Sequence, residues 1–239
     1  MSNTYRQAAV VTREKLERDP QNRLLSRGPR FRMDAEMIRD YSLAASGLLV
    51  PELGGPSVKP YQPDGVWEAV AMIGSNTRDY KRDTGESLYR RSLYTFIKRA
   101  APPASMEIFN ATARETCIVR RDRTNTPLQA LVTLNDVQHV EAARNLAQVV
   151  LLSPEKETLA RLDQLAKRLL ARPFLAEEQT VVQASLSDLL AHYQAHPDDA
   201  KQLITFGESK PDASLNPATL AAWTMLTNEL LNLDEVLSK

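Results

Sequence analysis

The sequence predicts a mainly α protein, with a bundle-like, multi-helix C-terminal half and a small β hairpin or strand near residues 79–98. Three observations support this prediction. Apolar residues recur at helical spacing in the segments after residue 126. Four prolines follow a side chain that can cap a helix, and proline is tolerated there because its missing N–H would be unpaired anyway. Connections are short, so neighbouring helices are expected to run antiparallel.

Capping residues predict where the helices begin. Thr126 should accept a hydrogen bond from a backbone N–H in the first turn of a helix that starts at Pro127. Asp34 predicts another start, because Glu36 then lies in the first turn, where an acid suits the helix dipole. Further starts are predicted at the pairs Asp19-Pro20, Ser153-Pro154 and Asn216-Pro217, and at Asn135 or Asp136.

The first half of the chain mixes short elements with a long loop. One apolar helical face follows Asp34, and residues 50–65 hold four prolines and three glycines, which predicts an ordered loop or an extended strap. A short helix around residues 66–72 should pack Trp67 inward. The β element rests on a turn signal at residues 83–85 and on the alternation of residues 93, 95 and 97 with Tyr94 and Phe96.

The second half of the chain predicts a series of helices, each from an apolar stripe. The stripes are Leu128, Leu131 and Val132; Val140, Ala143, Leu146, Ala147 and Val150; Leu159, Leu162, Leu165, Ala166, Leu169 and Leu170; Val181, Val182, Leu186, Leu189, Leu190 and Tyr193; Leu203, Ile204 and Phe206; and Leu220, Trp223, Leu226, Leu230 and Leu231.

The domain organisation predicted from these patterns is a mixed, loop-rich segment at residues 1–125 and a helical subdomain at 126–239, packed as one compact unit. The chain opens on NTYRQ, without a helix cap or a flexible tail, so we expect a fragment of a longer protein. The 30 basic and 30 acidic side chains balance, which gives no sign of nucleic acid as a partner. No apolar run approaches the roughly 20 residues that span a bilayer.

Cys117 is the single cysteine, which excludes an internal disulfide and a covalent haem motif with two cysteines. Nearby arginines would favour its thiolate, which makes it a candidate reactive thiol. The alternative, which we favour, is a buried apolar role beside Ile118 and Val119. A Cys-His pair would also need a histidine, and His139 is the only one outside the C-terminal region.

The histidines predict no metal site. His192 and His196 are four residues apart and can share one helix face, but no glutamate follows His192 as a zinc-protease motif would require. Pro197 should end their helix, and a histidine in the last turn suits the helix dipole. Acidic residues of the central segment, such as Glu107, Glu115 and Asp122, are as compatible with arginine pairing as with catalysis, so we predict no catalytic residue.

Arginines crowd the segment between residues 78 and 123, with aromatic residues between them. Arginine binds carboxylate, sulfate and phosphate through two parallel hydrogen bonds, so one interpretation is an anion-binding surface. The other, which we favour, is a structural clasp: Arg120–Asn125 would join the irregular segment to the helical half through backbone carbonyls and acids such as Asp122 or Glu115. The candidate binding residues are Arg90, Arg91, Arg99, Arg114, Arg120, Arg121, Arg123 and Asn125.

A resemblance covers nearly the whole chain. The block YRRSLYTFIKRAAPPASMEIFNATARETCIVRRDRTNTPLQALVTLNDVQHVEAA, with NRLLSRGPRFRMDAEMIRD and GGPSVKPYQPDGVWE before it and AWTMLTNELLNLDEV at the close, resembles a planctomycete-type domain of unknown function. That domain lies at the C-terminal end of large exported bacterial proteins, after a cytochrome-c-like domain. The matching positions are Arg90, Arg91, Arg114, Cys117, Arg120, Arg121, Arg123, Thr124, Asn125, Thr126, Pro127, Gln129 and Asn135.

The resemblance implies a protein that is exported or periplasmic, and a role beside electron transfer or polymer breakdown. It implies that haem belongs to a separate domain and that this chain carries no cofactor. It supplies no catalytic residues. The chain departs from the family pattern at Asn110, where an aspartate is usual, and at His139, which is not typically histidine.

Taken together, these observations lead us to expect a non-catalytic binding or docking module of a cytochrome-c-linked protein. Its partner would be an anionic polysaccharide or the cytochrome-c-like domain of the same protein. Two alternatives stay open. One is a hydrolase that acts on polysaccharide or ester substrates, with Cys117 or a carboxylate at its centre, and the other is a purely structural domain.

Overall fold

The computed structural model describes residues 2–239 and confirms a mainly α protein. Two 3-10 helices, Gly85–Tyr89 and Ser92–Tyr94, lie between α3 and α4. The α-helices are α1 (Arg13–Arg18), α2 (Ala35–Ser46), α3 (Val66–Val70), α4 (Ala104–Ile108), α5 (Pro127–Asn135), α6 (Val137–Leu151), α7 (Thr158–Leu170), α8 (Ala176–Ala195), α9 (Pro197–Ile204), α10 (Pro217–Leu231) and α11 (Asp234–Leu237). No helix within residues 2–239 is both long enough and apolar enough to cross a bilayer.

The main core surrounds α10, which packs against α6, α8 and α9. Ala143 and Ala147 on α6, and Ala221 and Ala222 on α10, are fully buried in it. These small side chains leave room for the two helices to pack closely, while leucines of α7, α8 and α10 fill the space around them. The apolar stripes of α6, α7, α8 and α10 therefore contribute to one continuous core.

A second apolar cluster joins α2 to α4 and to the last residues of the chain. Ile38, Met106, Phe109 and Leu237 are buried in it. The backbone of Phe31 exchanges two hydrogen bonds with that of Lys239, at 2.7 and 2.9 Å. The first half of the chain is thus fastened to the C-terminal residues by apolar packing and by backbone pairing.

Several predicted helix starts are confirmed. The Thr126 hydroxyl accepts a hydrogen bond from Gln129 N at 3.4 Å, and Asn216 Oδ1 accepts one from Thr219 N at 3.1 Å. Asp136, rather than Asn135, caps α6. α2 begins after Asp34, whose side chain makes no capping hydrogen bond. Trp67 is buried as expected.

Two predicted helix starts are wrong, because their capping side chains have other partners. Asp19 follows the end of α1, and its carboxylate accepts hydrogen bonds from Arg23 N and Leu24 N at 2.7 and 2.8 Å. The Ser153 hydroxyl donates back to Val150 O at 2.7 Å, so α7 begins only at Thr158. A cap-proline pair therefore starts a helix only where the capping oxygen is free.

The β hairpin or strand predicted near residues 79–98 is minor, since β structure within residues 2–239 is limited to isolated bridges. Val58 pairs in parallel with this segment: its N–H donates to Tyr94 O and its carbonyl accepts from Phe96 N, both at 2.8 Å. A second bridge joins Val50 to Arg90. The partner is therefore the proline-rich loop, and prolines cannot donate the hydrogen bonds that would extend a ladder.

The stripe predicted on α5 is also wrong. Leu128 and Leu131 are more than half exposed, whereas Gln129 and Thr133 are buried. Gln129 Nε2 donates to Ile108 O at 3.0 Å and to the Thr124 hydroxyl at 2.9 Å. Hydrogen bonding of polar side chains, rather than apolar burial, therefore decides which face of α5 points inward.

Candidate functional site

An open cleft of about 830 Å³ runs along α2, and it is called the arginine cleft here. One wall is a face of α2, whose residues recur every three or four positions, as on one side of a helix. The opposite wall comes from the 3-10 segment and from the loop between α4 and α5. The cleft is lined by Met33, Asp34, Glu36, Met37, Asp40, Tyr41, Ala44, Leu49, Pro51, Arg91, Leu93, Arg114 and Arg121.

Arg121 is held in the cleft by Glu36. Its guanidinium donates two hydrogen bonds to the Glu36 carboxylate, at 2.5 and 3.1 Å. Partial burial opposes ionisation of Glu36, but the hydrogen bonds and charge of Arg121 prevail and lower the pKa of that carboxyl below its usual value. Arg121 is therefore held in place, because both terminal nitrogens of its guanidinium already bind Glu36.

Arg91 is held only loosely. Its Nε lies 3.9 Å from the Asp40 carboxylate, and its side chain is 47% exposed. Asp40 has closer partners, because its Oδ1 accepts hydrogen bonds from the backbone N–H and the hydroxyl of Ser92 at 2.8 and 2.7 Å. Most of the hydrogen-bonding capacity of the Arg91 guanidinium therefore stays available.

Arg114 is the least engaged cation of the cleft. It is exposed and has no ion-pair partner within residues 2–239. Its backbone has a positive φ of 59°, which is uncommon for a residue with a side chain and reflects a tight turn in the loop after α4. Its charge also helps to lower the pKa of Glu36, after the larger effect of Arg121.

The other candidate arginines do not join the cleft. Arg90 is buried, stacks over the Tyr94 ring at 4.1 Å, and donates to the carbonyl groups of Pro56, Glu52 and Gly54. Arg123 lies over the Phe31 ring at 4.7 Å. Arg99, Arg120 and Asn125 are exposed.

Of the contacts expected from a clasp at residues 120–125, the structure shows one arginine–acid pair and one hydroxyl that accepts two hydrogen bonds. Arg121 binds Glu36, and the Thr124 hydroxyl accepts hydrogen bonds from Asn110 at 2.8 Å and from Gln129 at 2.9 Å. The acids proposed as partners, Asp122 and Glu115, are exposed and form no ion pair within residues 2–239. The segment is thus fastened at two points, and its remaining arginines face solvent or an aromatic ring.

Cys117 is exposed, so the favoured prediction of a buried cysteine is wrong. Its neighbours Ile118 and Val119 are exposed as well, Val119 completely. Apolar neighbours in sequence therefore did not indicate burial, because the segment forms an outward loop. The cysteine is accessible to reagents and lies outside the arginine cleft.

Metal-binding side chains do not cluster in the described part of the chain, residues 2–239. The rings of His192 and His196 stack with their centroids 4.6 Å apart, and His196 Nδ1 lies 2.9 Å from the His192 carbonyl oxygen. α8 ends at Ala195, and Pro197 begins α9. These two histidines form the junction between two helices.

One pair of residues has the composition of a nucleophile and a base. Ser42 Oγ lies 3.3 Å from His139 Nδ1, and both side chains are buried. However, the Ser42 hydroxyl donates to Ile38 O at 3.1 Å, as serines commonly do inside helices. Burial lowers the pKa of His139, an effect that Asp136 opposes and Arg39 reinforces. The pair is a packed structural contact that solvent does not reach.

Buried charged residues are the feature that the sequence analysis missed. Arg39 donates to Arg90 O, Leu88 O and Gln138 Oε1 at 2.7 to 2.8 Å. Glu141 accepts from the Tyr89 hydroxyl at 2.8 Å and from Ser209 N at 2.6 Å. The spacing in the sequence could have indicated that Arg39 is buried, because it lies four residues from Ala35 and from Leu43, on the buried face of α2.

Comparison with protein families gives a match over most of the chain. A family model described as "PSD1: Protein of unknown function (DUF1553)" matches residues 1–186. Searches of curated proteins and of solved structures gave no match.

Proposed function

Since the chain belongs to the DUF1553 family, whose function is unknown, we propose from its own geometry that it is a non-catalytic binding module whose arginine cleft takes an anionic ligand. Acidic polysaccharide is the first candidate. The observation that carries the proposal is Arg114: an exposed, unpaired arginine in an open cleft, beside the loosely held Arg91 and the anchored Arg121.

The chemistry of the cleft supports an anion with separated charges. Glu36 and Asp40 are occupied by Arg121 and Ser92, so they compete little for the two available guanidiniums. Each guanidinium can bind a carboxylate or a sulfate through two parallel hydrogen bonds. Met37 and Leu93 add exposed apolar surface between the charged walls. A chain of uronic acid or sulfated sugars offers both features.

A second candidate is an acidic surface of another domain, such as the cytochrome-c-like domain that the sequence resemblance implies. It is favoured by the exposed apolar side chains Ile118 and Val119, which lie next to Arg120. Exposed apolar groups flanked by arginine are typical of protein interfaces. This partner would occupy the outward loop rather than the arginine cleft.

The hydrolase and structural alternatives have weaker support. The exposed Cys117 forms no hydrogen bond with a histidine base within residues 2–239, and the Ser42–His139 pair is buried where substrate does not reach it. A purely structural domain accounts for Arg39 and Arg90, which bind backbone carbonyls. It does not account for Arg114, which holds nothing in place.

The test compares Arg114→Gln with Arg99→Gln, a matched change of an exposed arginine outside the cleft. We expect polyuronate or sulfated glycans to bind the wild-type chain in titration calorimetry and to raise its melting temperature, with both effects weakened by salt. Loss of a charge-assisted hydrogen bond worth about 1.5–3 kcal/mol should reduce the affinity of Arg114→Gln about tenfold or more.

Arg99→Gln should bind like the wild type. Two outcomes contradict the proposal: no binding of any acidic glycan by the wild-type chain, or equal binding by the Arg114→Gln variant.

A further inference from the structure

A second concave surface lies between α8 and α10 and shares no lining residue with the arginine cleft. Its volume is about 590 Å³, and it is called the acidic groove here. Its apolar floor is formed by Phe174, Val182, Leu226 and Leu230, which also belong to the main core. The floor of the groove is therefore fixed in position, since its side chains are part of the packed interior.

Two aliphatic side chains beside this floor remain uncovered. Val181 on α8 is 69% exposed, and Leu233, which follows α10, is 41% exposed. α8 packs Val182 and Leu186, and in part Leu189, Leu190 and Tyr193, against the main core, which leaves Val181 as its exposed large apolar side chain. An apolar surface that is continuous with the core and open to solvent is typical of a docking site.

The lining residues, apolar and acidic together, follow helical spacing on both walls. On α8 the groove is lined at residues 177, 178, 181, 182 and 185, and on the α10 side at residues 226, 229, 230 and 233. Steps of three and four residues place each set along one side of its helix. The groove therefore has one wall from α8 and one from the α10 side, and a groove between two helices can accept a third helix.

The rim of the groove is acidic. It carries Glu177, Glu178, Glu229, Asp234 and Glu235, and its only basic residue is Arg172. Arg172 is occupied by Glu178 and Glu235, with hydrogen bonds of 2.6 to 2.9 Å. Glu177 and Glu229 form no ion pair within residues 2–239, although Glu229 accepts a hydrogen bond from Ser185 at 2.9 Å. Uncompensated negative charge thus borders the apolar floor.

We propose that the acidic groove docks a cationic amphipathic helix, with aliphatic residues on one face and lysine or arginine on its flanks. The aliphatic face would cover Val181 and Leu233. The basic flanks would meet Glu177 and Glu229, which select against an acidic helix of the same apolar pattern. This interaction is independent of the arginine cleft, whose ligand has the opposite charge.

The experiment measures the binding of labelled peptides to the full chain by fluorescence anisotropy. The first peptide is a short helix with leucines three and four residues apart and lysines on the flanking positions. A charge-reversed peptide replaces each lysine with glutamate, and a scrambled peptide keeps the composition but not the spacing. We expect salt-sensitive binding of the first peptide, and binding at least about tenfold weaker for the other two.

The matched variants are Val181→Arg, which places a cation in the groove, and Leu159→Arg, at an exposed aliphatic position on α7 outside it. Both sites are on helix surfaces, so the fold should tolerate both changes. Val181→Arg should weaken binding of the lysine peptide about tenfold or more, and Leu159→Arg should leave it unchanged.

Each contrary result overturns the proposal. No binding of the lysine peptide shows that the groove takes no such helix. Equal binding of the lysine and glutamate peptides shows that the acidic rim does not select. Equal binding of the scrambled peptide shows unspecific charge attraction. A dimer in sedimentation that Val181→Arg dissociates, without peptide binding, assigns the groove to a second copy of the chain.

Discussion

Arg90 and Arg114 differ in how their guanidiniums are used. Arg90 is buried and donates to carbonyl groups of the proline-rich loop, whereas Arg114 is exposed and unpaired within residues 2–239. A buried guanidinium must have its hydrogen bonds satisfied, because leaving a charge unpaired in the interior is costly. Buried arginines of this fold therefore serve the structure, and only those left at the surface are available to a ligand.

His139 should make the stability of the protein depend on pH. Burial lowers its pKa, an effect that Asp136 opposes and Arg39 reinforces, so the histidine takes up a proton less readily in the folded state than in the unfolded chain. The unfolded chain takes up this proton near pH 6.5, and the folded chain does so only at a lower pH. Protons therefore favour unfolding, and stability should fall as pH drops below about 6.5, by up to about 1.4 kcal/mol per pH unit.

The measurement is the free energy of urea unfolding between pH 7 and pH 5. His139→Asn should be less stable overall but should lose less stability over this interval than the wild type. His192→Asn, a change at an exposed histidine, is the control and should keep the wild-type slope. The carboxyl of Glu178, whose pKa Arg172 lowers to about 2, titrates below this window. An unchanged slope in His139→Asn would contradict this assignment.

At the scale of the element, α10 depends on the cap that begins it. Asn216 Oδ1 accepts a hydrogen bond from Thr219 N at 3.1 Å, and Pro217 follows in the first turn. Because α10 is the centre of the main core, the loss of this cap should weaken the whole domain. Asn216→Ala should cost about 1 kcal/mol in urea unfolding, whereas Asn216→Asp retains the acceptor and should stay close to wild type. Equal losses in both variants would refute a capping role.

The elements also show what the sequence can and cannot predict. The apolar stripes of α6, α7 and α10 identify core helices, because their burial needs only the correct spacing. Asp19 and Ser153 look like caps, yet their oxygens bind nearby backbone groups instead. Leu128 resembles a core position, yet the hydrogen bonds of Gln129 set the orientation of α5. The first two side chains bind backbone groups close in sequence, whereas the orientation of α5 depends on Ile108, a tertiary partner that the sequence of the helix does not reveal.

The same limit applies to the arginine cleft. The sequence indicates many arginines that could bind an anion, and the structure brings together Arg91, Arg114 and Arg121. Glu36 and Asp40 on α2 hold Arg121 and Arg91 there, although each acid lies more than fifty residues from its arginine in sequence. Residue type thus predicts the chemistry of the cleft, but which arginines line it depends on packing between segments that are distant in sequence.

At the scale of the whole molecule, Arg39 connects three parts of the chain. From α2 it donates to Leu88 O and Arg90 O beside the 3-10 helices, and to Gln138 Oε1 on α6. Burial lowers its pKa to about 10, against the opposing charges of Asp40 and Asp136, so it remains charged at neutral pH. This one side chain therefore fixes the positions of α2 and of the segment that carries Arg91, the two walls of the arginine cleft.

Arg39→Met should consequently destabilise the chain and loosen both walls. The change keeps most of the side-chain volume but leaves buried acceptors unsatisfied, at about 1–3 kcal/mol each, so we expect a loss of about 3 kcal/mol or more in urea unfolding. Hydrogen exchange should accelerate in α2 and also in residues 85–95 and at the start of α6. Arg18→Met is the control, because Arg18 is exposed and pairs only with Glu14 within α1. Faster exchange confined to α2 would show that Arg39 stabilises its own helix and does not hold the two walls together.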